Sequence, residues 1–262
     1  MADFDGRVVL ITGAAGGIGQ ELARQFGNRG AAVAALDRKD DVVGFVETLT
    51  RAGIAAAAAI ADIGVADQVR QAVERLRAAL GPIGVLINNA GFSEQPTLEK
   101  TTPASWQSDV NGNLNGAFNC AHAVLADMKS AGAGAIVNIA SVNGLMALGD
   151  PAYSAAKAGL INFTKSLAME YGRFGIRANV ICPGTVRTPI WDHRIERNPE
   201  ILKQLARWYP LRRIAEPADI AKAALFLSSD DASAITGATL PVDCGLTAGN
   251  IELTRNLTLE DF

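Results

Sequence analysis

The sequence predicts a doubly wound α/β fold: a parallel sheet of about seven strands with helices on both faces. Three observations carry this expectation. Short apolar runs rich in β-branched residues alternate with segments of helical periodicity. Glycines cluster where the first apolar run meets the first helix. The 262-residue chain has no obvious linker, no repeats and no low-complexity tract beyond one alanine run, so a single domain is expected over 1–262.

Arg7-Val8-Val9-Leu10-Ile11-Thr12 reads as a buried parallel strand. Thr12 to Gly19 forms the glycine-rich junction, and Leu22, Ala23 and Phe26 continue at helical spacing until Gly30. Ala32 to Asp37 is the second strand; Asp40 then stands where a cap would open a helix through Val43, Val46 and Leu49 to Gly53. Ile54 to Ala61 holds five consecutive alanines, which favour helix by propensity, but its shortness and its bounds at Gly53 and Asp62 favour a strand. A helix from about Val65 to Leu80 leads to the strand Ile83 to Asn88. One long helix is expected from Ser105 to Ala131, then the strand Ala135 to Ala140. Pro151 suits a first helical position, and that helix runs to about Gly172. Arg177 to Ile181 and Ala238 to Asp243 complete the strands, with Pro241 assigning the last to an edge. From Pro183 to about Glu216 there is no strand signal, and four prolines interrupt the segment. So long an excursion is expected to be functional, as a substrate-side lid over about 184–216.

Composition narrows the function. The chain is 49% hydrophobic with a net charge of −3 and no basic block, which argues against nucleic acid or anionic membrane as a partner. The acidic start Met1-Ala2-Asp3-Phe4-Asp5 lacks the features of a signal peptide, and no apolar run approaches the roughly 18 residues of a membrane span. Cys120, Cys182 and Cys244 are odd in number and far apart, so a reducing cytoplasm is the expected setting. With only His122 and His193, no metal site is expected.

Two groups of residues point to chemistry. Gly13, Gly17 and Gly19, with Gly16 between them, would let backbone approach a phosphate at a helix N-terminus. Asp37 is an acceptor suited to ribose hydroxyls, and Asp62 is either an adenine-side contact or a cap. Tyr153 and Lys157 are i and i+4 on one helix face, with Ser141 upstream. A phenol is a poor base near neutrality, and a neighbouring ammonium favours its phenolate.

These motifs, in this order, make the chain resemble the short-chain dehydrogenases/reductases from Gly6 to about Leu246: Thr12 to Gly19, Asn88-Asn89-Ala90-Gly91, Asn113-Leu114-Asn115-Gly116, Ser141-Val142-Asn143-Gly144, Tyr153-x-x-x-Lys157, Pro183-Gly184 and Val242-Asp243-Cys244-Gly245. The family usually has two glycines where this chain has Cys244-Gly245, which puts the local turn in question.

The resemblance implies a Rossmann-type sheet and an NAD-dependent oxidation of a secondary alcohol, polyol or sugar hydroxyl. Tyr153 would be the acid/base, Lys157 would lower its pKa and reach the cofactor ribose, Ser141 would orient the substrate oxygen, and Asn113 would support a water relay. Further implied cofactor contacts are Ile18, Ile63, Asn89, Ala90 and Gly91, and then Pro183, Gly184, Val186 and Thr188. Asp37, with no cation at Gly16, favours NAD over NADP, although Arg38 keeps NADP open. An NADP-dependent reductase of thioester-borne ketones and a dinucleotide-sensing protein are the competing readings. Trp191, His193, Arg194, Arg197, Trp208 and Tyr209 are either substrate contacts or ordinary lid packing. A homotetramer is expected, using the helices 105–131 and 151–172.

Overall fold

The computed structural model describes residues 4–260; Met1, Ala2 and Asp3 of the acidic start lie outside the described residues. Seven strands form one parallel sheet: β1 (Val8–Thr12), β2 (Ala32–Asp37), β3 (Ala56–Ile60), β4 (Ile83–Asn88), β5 (Gly134–Ile139), β6 (Ile176–Pro183) and β7 (Thr239–Val242). Their order is β3-β2-β1-β4-β5-β6-β7. β1 and β4 are therefore neighbours, and the chain reverses its direction of travel across the sheet there. Ligands of such sheets bind at that switch point, beyond the carboxyl ends of the strands. The alanine run is the edge strand β3, as its context suggested, and β7 with Pro241 is the opposite edge.

Helices cover both faces. α1 (Gly17–Gly27), α2 (Asp41–Arg51) and α3 (Ala66–Leu80) follow the first three strands. α2 begins where expected, but the Asp40 side chain makes no capping hydrogen bond. The expected long helix is two helices, α4 (Pro103–Val110) and α5 (Gly116–Ala131), joined by a π-helical turn over Asn111–Asn115. Helical periodicity continues through the junction, so the sequence pattern hides the extra residue that a π turn accommodates.

α6 (Pro151–Tyr171) packs on β6. Beyond it lie α7 (Asp192–Arg197), α8 (Ile201–Ala206), α9 (Pro217–Ser228) and α10 (Ile251–Thr258), which the sequence reading did not resolve. α9 buries Ile220, Ala221, Ala224, Leu225 and Leu227 against α1 and β5.

Two polar devices order this interior. Asn88 Nδ2 donates to Asn138 Oδ1 at 2.9 Å, and Asn138 Nδ2 donates to Thr164 Oγ1 at 2.8 Å. This buried chain ties β4 and β5 to α6. Near β7, Cys244 stands where the family usually has glycine and adopts a left-handed φ of 53°. Asp243 holds the turn by accepting from the backbone N–H groups of Gly245 and Thr247 at 2.9 and 2.8 Å. The expected turn survives the substitution with local backbone strain.

Candidate active site

A cleft of about 830 Å³ lies along the carboxyl ends of the strands. Its first half is built on close backbone approach. Gly13 has φ +65°, and a side chain there would meet the Ala90 backbone at 2.8 Å; one at Gly19 would run into the Gly13 carbonyl. Asn89 fixes this approach, its Nδ2 donating to the carbonyls of Thr12 and Gly13 at 3.0 and 3.2 Å. Thr12 Oγ1 accepts from the N–H groups of Asn89 and Ala90, both at 3.0 Å. The Asn-Asn-Ala-Gly segment is thereby clamped to the glycine loop. α1 opens without a side-chain cap, and its first residues Gly17 and Ile18 line the cleft. Uncapped N–H groups at a helix N-terminus favour an anion.

Asp37 is 9% exposed at the end of β2. Its Oδ2 accepts from the Ala15 N–H at 2.9 Å and its Oδ1 from the Lys39 N–H at 3.1 Å, so two backbone donors fix the carboxylate. Asp62 accepts from the Gly64 N–H at 2.8 Å in a turn before α3, whose cap is Val65, so it is not the helix cap the sequence allowed, while still lining the cleft.

The second half carries Ser141, Tyr153 and Lys157. Lys157 is 2% exposed and its Nζ donates to the Ile139 carbonyl at 2.8 Å. The same Nζ lies 5.4 Å from the centroid of the Tyr153 ring. Burial pushes the Tyr153 phenol up to about 12, against a hydrogen bond with Ser141 that pulls it down. Burial pushes the Lys157 ammonium down to about 8. Desolvation dominates both groups, and Ser141 supplies the opposing influence on the phenol.

Asn113 does not line the cleft. It sits in the π turn, 1% exposed, and its amide is fully engaged. Nδ2 donates to the carbonyls of Phe92 and Asp109 at 2.7 and 2.8 Å, and Oδ1 accepts from the Phe92 N–H at 3.2 Å. Gly91 makes room for this clamp, since a side chain there would meet Asn113 Oδ1 at 2.6 Å and Lys157 Nζ at 3.0 Å. The other expected site residues all line the cleft: Gly16, Ile63, Pro183, Gly184, Val186 and Thr188 join those already described.

The wall over 184–216 is held more lightly. Val186 bridges Ala215 at its base. Tyr209 is 3% exposed and its hydroxyl donates to Thr185 Oγ1 at 2.8 Å, so Tyr209 is a packing residue and not a cleft contact. Trp191 and Arg194 do line the cleft, with the guanidinium stacked 4.7 Å from the indole; His193, Arg197 and Trp208 do not line it. Sequence reasoning missed Phe92, Asn143 and Asp150, which also line the cleft. Asp150 has a left-handed φ of 47° at the start of α6, and its only signal was the Gly149-Asp150-Pro151 junction. Among the described residues there is no cluster of groups able to hold a metal ion.

Fold and cleft together define a dinucleotide-binding α/β enzyme. A family model described as "Enoyl-(Acyl carrier protein) reductase" matches residues 13–247. An uncharacterised oxidoreductase of Schizosaccharomyces pombe is 46% identical over 258 residues, 98% of this chain and 97% of the relative. The crystal structure of an oxidoreductase of the short-chain dehydrogenase/reductase family from Burkholderia thailandensis has a TM-score of 0.90 and 51% identity, covering 98% of each chain. A gluconate 5-dehydrogenase from Burkholderia cenocepacia, solved with NADP and tartrate, has a TM-score of 0.88 and 34% identity over 94% of this chain and 97% of that one. The chain belongs to the short-chain dehydrogenases/reductases and is an oxidoreductase acting on CH–OH groups. Its family uses NAD(P), and no helix among the described residues is long and apolar enough to cross a membrane.

Proposed function

We propose that the protein catalyses the reversible oxidation of a secondary alcohol, or a polyol or sugar hydroxyl, to a ketone, with NAD as the preferred cofactor. The observation that carries this is the convergence of Ser141, Tyr153 and Lys157 on one cleft, with Lys157 Nζ 5.4 Å from the centroid of the Tyr153 ring, opposite a glycine cradle that side chains would fill. The cradle fits a dinucleotide: Gly13, Gly16, Gly17, Ile18 and Gly19 would face the diphosphate, and Asp37 the adenosine ribose. Asp62, Ile63, Asn89, Ala90 and Gly91 would complete the adenosine side, and Pro183, Gly184, Val186 and Thr188 the nicotinamide side. Bound NAD supplies the hydride acceptor.

The chain's own residues handle the proton. Ser141 holds the substrate oxygen. Tyr153 Oη, as the phenolate, takes the hydroxyl proton in oxidation and, as the phenol, returns it in reduction. The high proton affinity of the buried phenol keeps the acid form ready for reduction. Lys157, charged below about pH 8, supports the phenolate from beneath. The amide of Asn113 is committed to Phe92 and Asp109, so its support of a water relay falls to its backbone. The segment 184–216 acts as a lid. Exposed Trp106, Phe118 and Met169 on α4, α5 and α6 support a homotetramer through these helices, and three buried free cysteines support a reducing cytoplasm.

Turnover with NAD against secondary alcohols, polyols, sugars, steroids and hydroxy acids tests the reading. Tyr153→Phe is expected to lower turnover by a factor on the order of 10²–10⁴ with NADH binding nearly intact. Near wild-type turnover in this variant would remove the acid/base assignment. A second reading, an NADP-dependent reductase of thioester-borne ketones, is favoured by Arg38 in the cleft and by the NADP in the gluconate dehydrogenase. Preference for NADP in the same assay would select it. Absence of turnover with every substrate class would leave the dinucleotide sensor.

A further inference from the structure

Arg38 follows the fixed carboxylate of Asp37 and lines the same cleft. A guanidinium in this place is the natural partner for a phosphate on the adenosine 2′ position. Here it is engaged elsewhere. Its central carbon lies 4.8 Å from the centroid of the Phe92 ring. Among the described residues this ring is the partner recorded for the Arg38 side chain.

The ring is a rigid platform. Its backbone is clamped on both sides by the Asn113 amide, at 3.2 Å through the N–H and 2.7 Å through the carbonyl. Its edge lies against Gly112 of the π turn, where any side chain would run into the ring. Topology sets the direction of the reach. Phe92 follows β4 and Arg38 follows β2, and β1 lies between them. Their strand ends stand about two spacings, roughly 10 Å, apart. The guanidinium is therefore tied to the segment after β4, which β1 separates from the β2 end where Asp37 sits. Stacking on an aromatic face retains such a cation without neutralising it.

We propose that Phe92 is a specificity-determining residue: its ring holds the Arg38 guanidinium away from the adenosine 2′ position and so disfavours a 2′-phosphate there. Asp37 repels that phosphate, and Phe92 withholds the cation that would offset the repulsion. The inference rests on the reading of the cleft as an adenosine-dinucleotide site.

The test compares two probes that differ only in the 2′-phosphate, adenosine 5′-monophosphate and adenosine 2′,5′-bisphosphate. Their dissociation constants are measured by calorimetry on the wild type, Phe92→Leu, Phe92→Tyr, Arg38→Ala and the Arg38→Ala/Phe92→Leu double variant. Phe92→Leu is expected to shift the ratio at least threefold toward the bisphosphate. Phe92→Tyr, which keeps the ring, should keep the wild-type ratio. In the Arg38→Ala background the Phe92→Leu shift should vanish, the coupling expected of residues that act through one contact. An unchanged or opposite shift in Phe92→Leu, or a shift that persists without Arg38, overturns the proposal. The wild-type ratio reads the underlying assignment separately. Tighter wild-type binding of the bisphosphate refutes NAD preference while leaving the Phe92 shift to be judged on its own. Failure of both probes to bind the wild type refutes the adenosine site and the proposal with it.

Discussion

The two halves of the cleft are built in opposite ways. On the β1–β2 side, backbone meets backbone: Thr12, Asn89 and Ala15 lock the glycine loop, the segment after β4 and Asp37 through hydrogen bonds of 2.9 to 3.2 Å. On the 184–216 side, the Val186–Ala215 bridge, the Tyr209–Thr185 hydrogen bonds, the Leu211 N–H bond to the Cys244 carbonyl and the Arg213–Asp219 ion pair hold the base, while Ile190 and Leu211 stand 73% and 64% exposed. The first half is preformed and has little freedom to adapt. In the second, α7 and α8 bury none of their residues, which suits a surface that differs from one substrate to another.

The preformed half should break most sharply. Gly19→Ala places a methyl against the Gly13 carbonyl, and neither backbone has room to yield. A loss of about 2–3 kcal/mol in denaturant-measured stability is expected, with loss of nucleotide binding. Unchanged stability would mean that this half is as adaptable as the wall.

A change of charge in the same half should act on selectivity and leave the fold intact. The wild type is expected to prefer NAD over NADP by at least tenfold in kcat/KM, about 1.4 kcal/mol. Asp37→Ser should narrow or reverse that ratio, chiefly by improving the use of NADP, because the fixed carboxylate is the repelling group. Equal use of the two cofactors by the wild type would assign the choice to Arg38.

Lys157, buried beneath the Tyr153 ring, offers a pH signature. Its folded-state pKa is depressed from 10.5 to about 8, so across that window the folded protein binds fewer protons than the unfolded chain. Stability should therefore rise with pH between about 8 and 10.5. Lys157→Met removes this contribution. Urea unfolding should show a wild-type slope steeper than the variant's, the difference amounting to roughly 3 kcal/mol over the window. Parallel slopes would mean that burial does not burden the lysine.

The smallest effect belongs to the wall. Tyr209→Phe deletes the hydroxyl that bonds Thr185, for about 0.5–1 kcal/mol. Limited proteolysis should cut 184–216 faster in this variant, and NADH with a substrate analogue should slow cleavage in both proteins. Cleavage indifferent to ligands would remove the lid.

This contrast also explains what could be read in the chain. Strand runs and the glycine junction are local patterns, and the preformed half is made of them; the Tyr153-x-x-x-Lys157 spacing is a local pattern as well. The π turn at Asn111–Asn115 escaped because helical periodicity runs through it. α9 escaped because its buried face is continuous with apolar neighbours and shows little amphipathic contrast. Phe92 escaped because its partners, Arg38 and Gly112, are distant in sequence and meet only through the crossing at β1. The proton affinities of Tyr153 and Lys157 escaped for a related reason: helical spacing reports that two groups face each other, and burial by other elements decides what they do.

The hydrogen-bonded run from Asn88 through Asn138 to Thr164 has a mechanical meaning for α6. Thr164 follows Lys157 by seven residues, about two helical turns, so the two side chains project along nearly the same line. Asn138 engages Thr164 as a key engages a slot in a shaft. A roll of α6 by one residue, about 100°, would disengage it in an interior where nothing replaces the lost partner. The helix bearing Tyr153 and Lys157 is thereby limited to one azimuth, set by two buried asparagines.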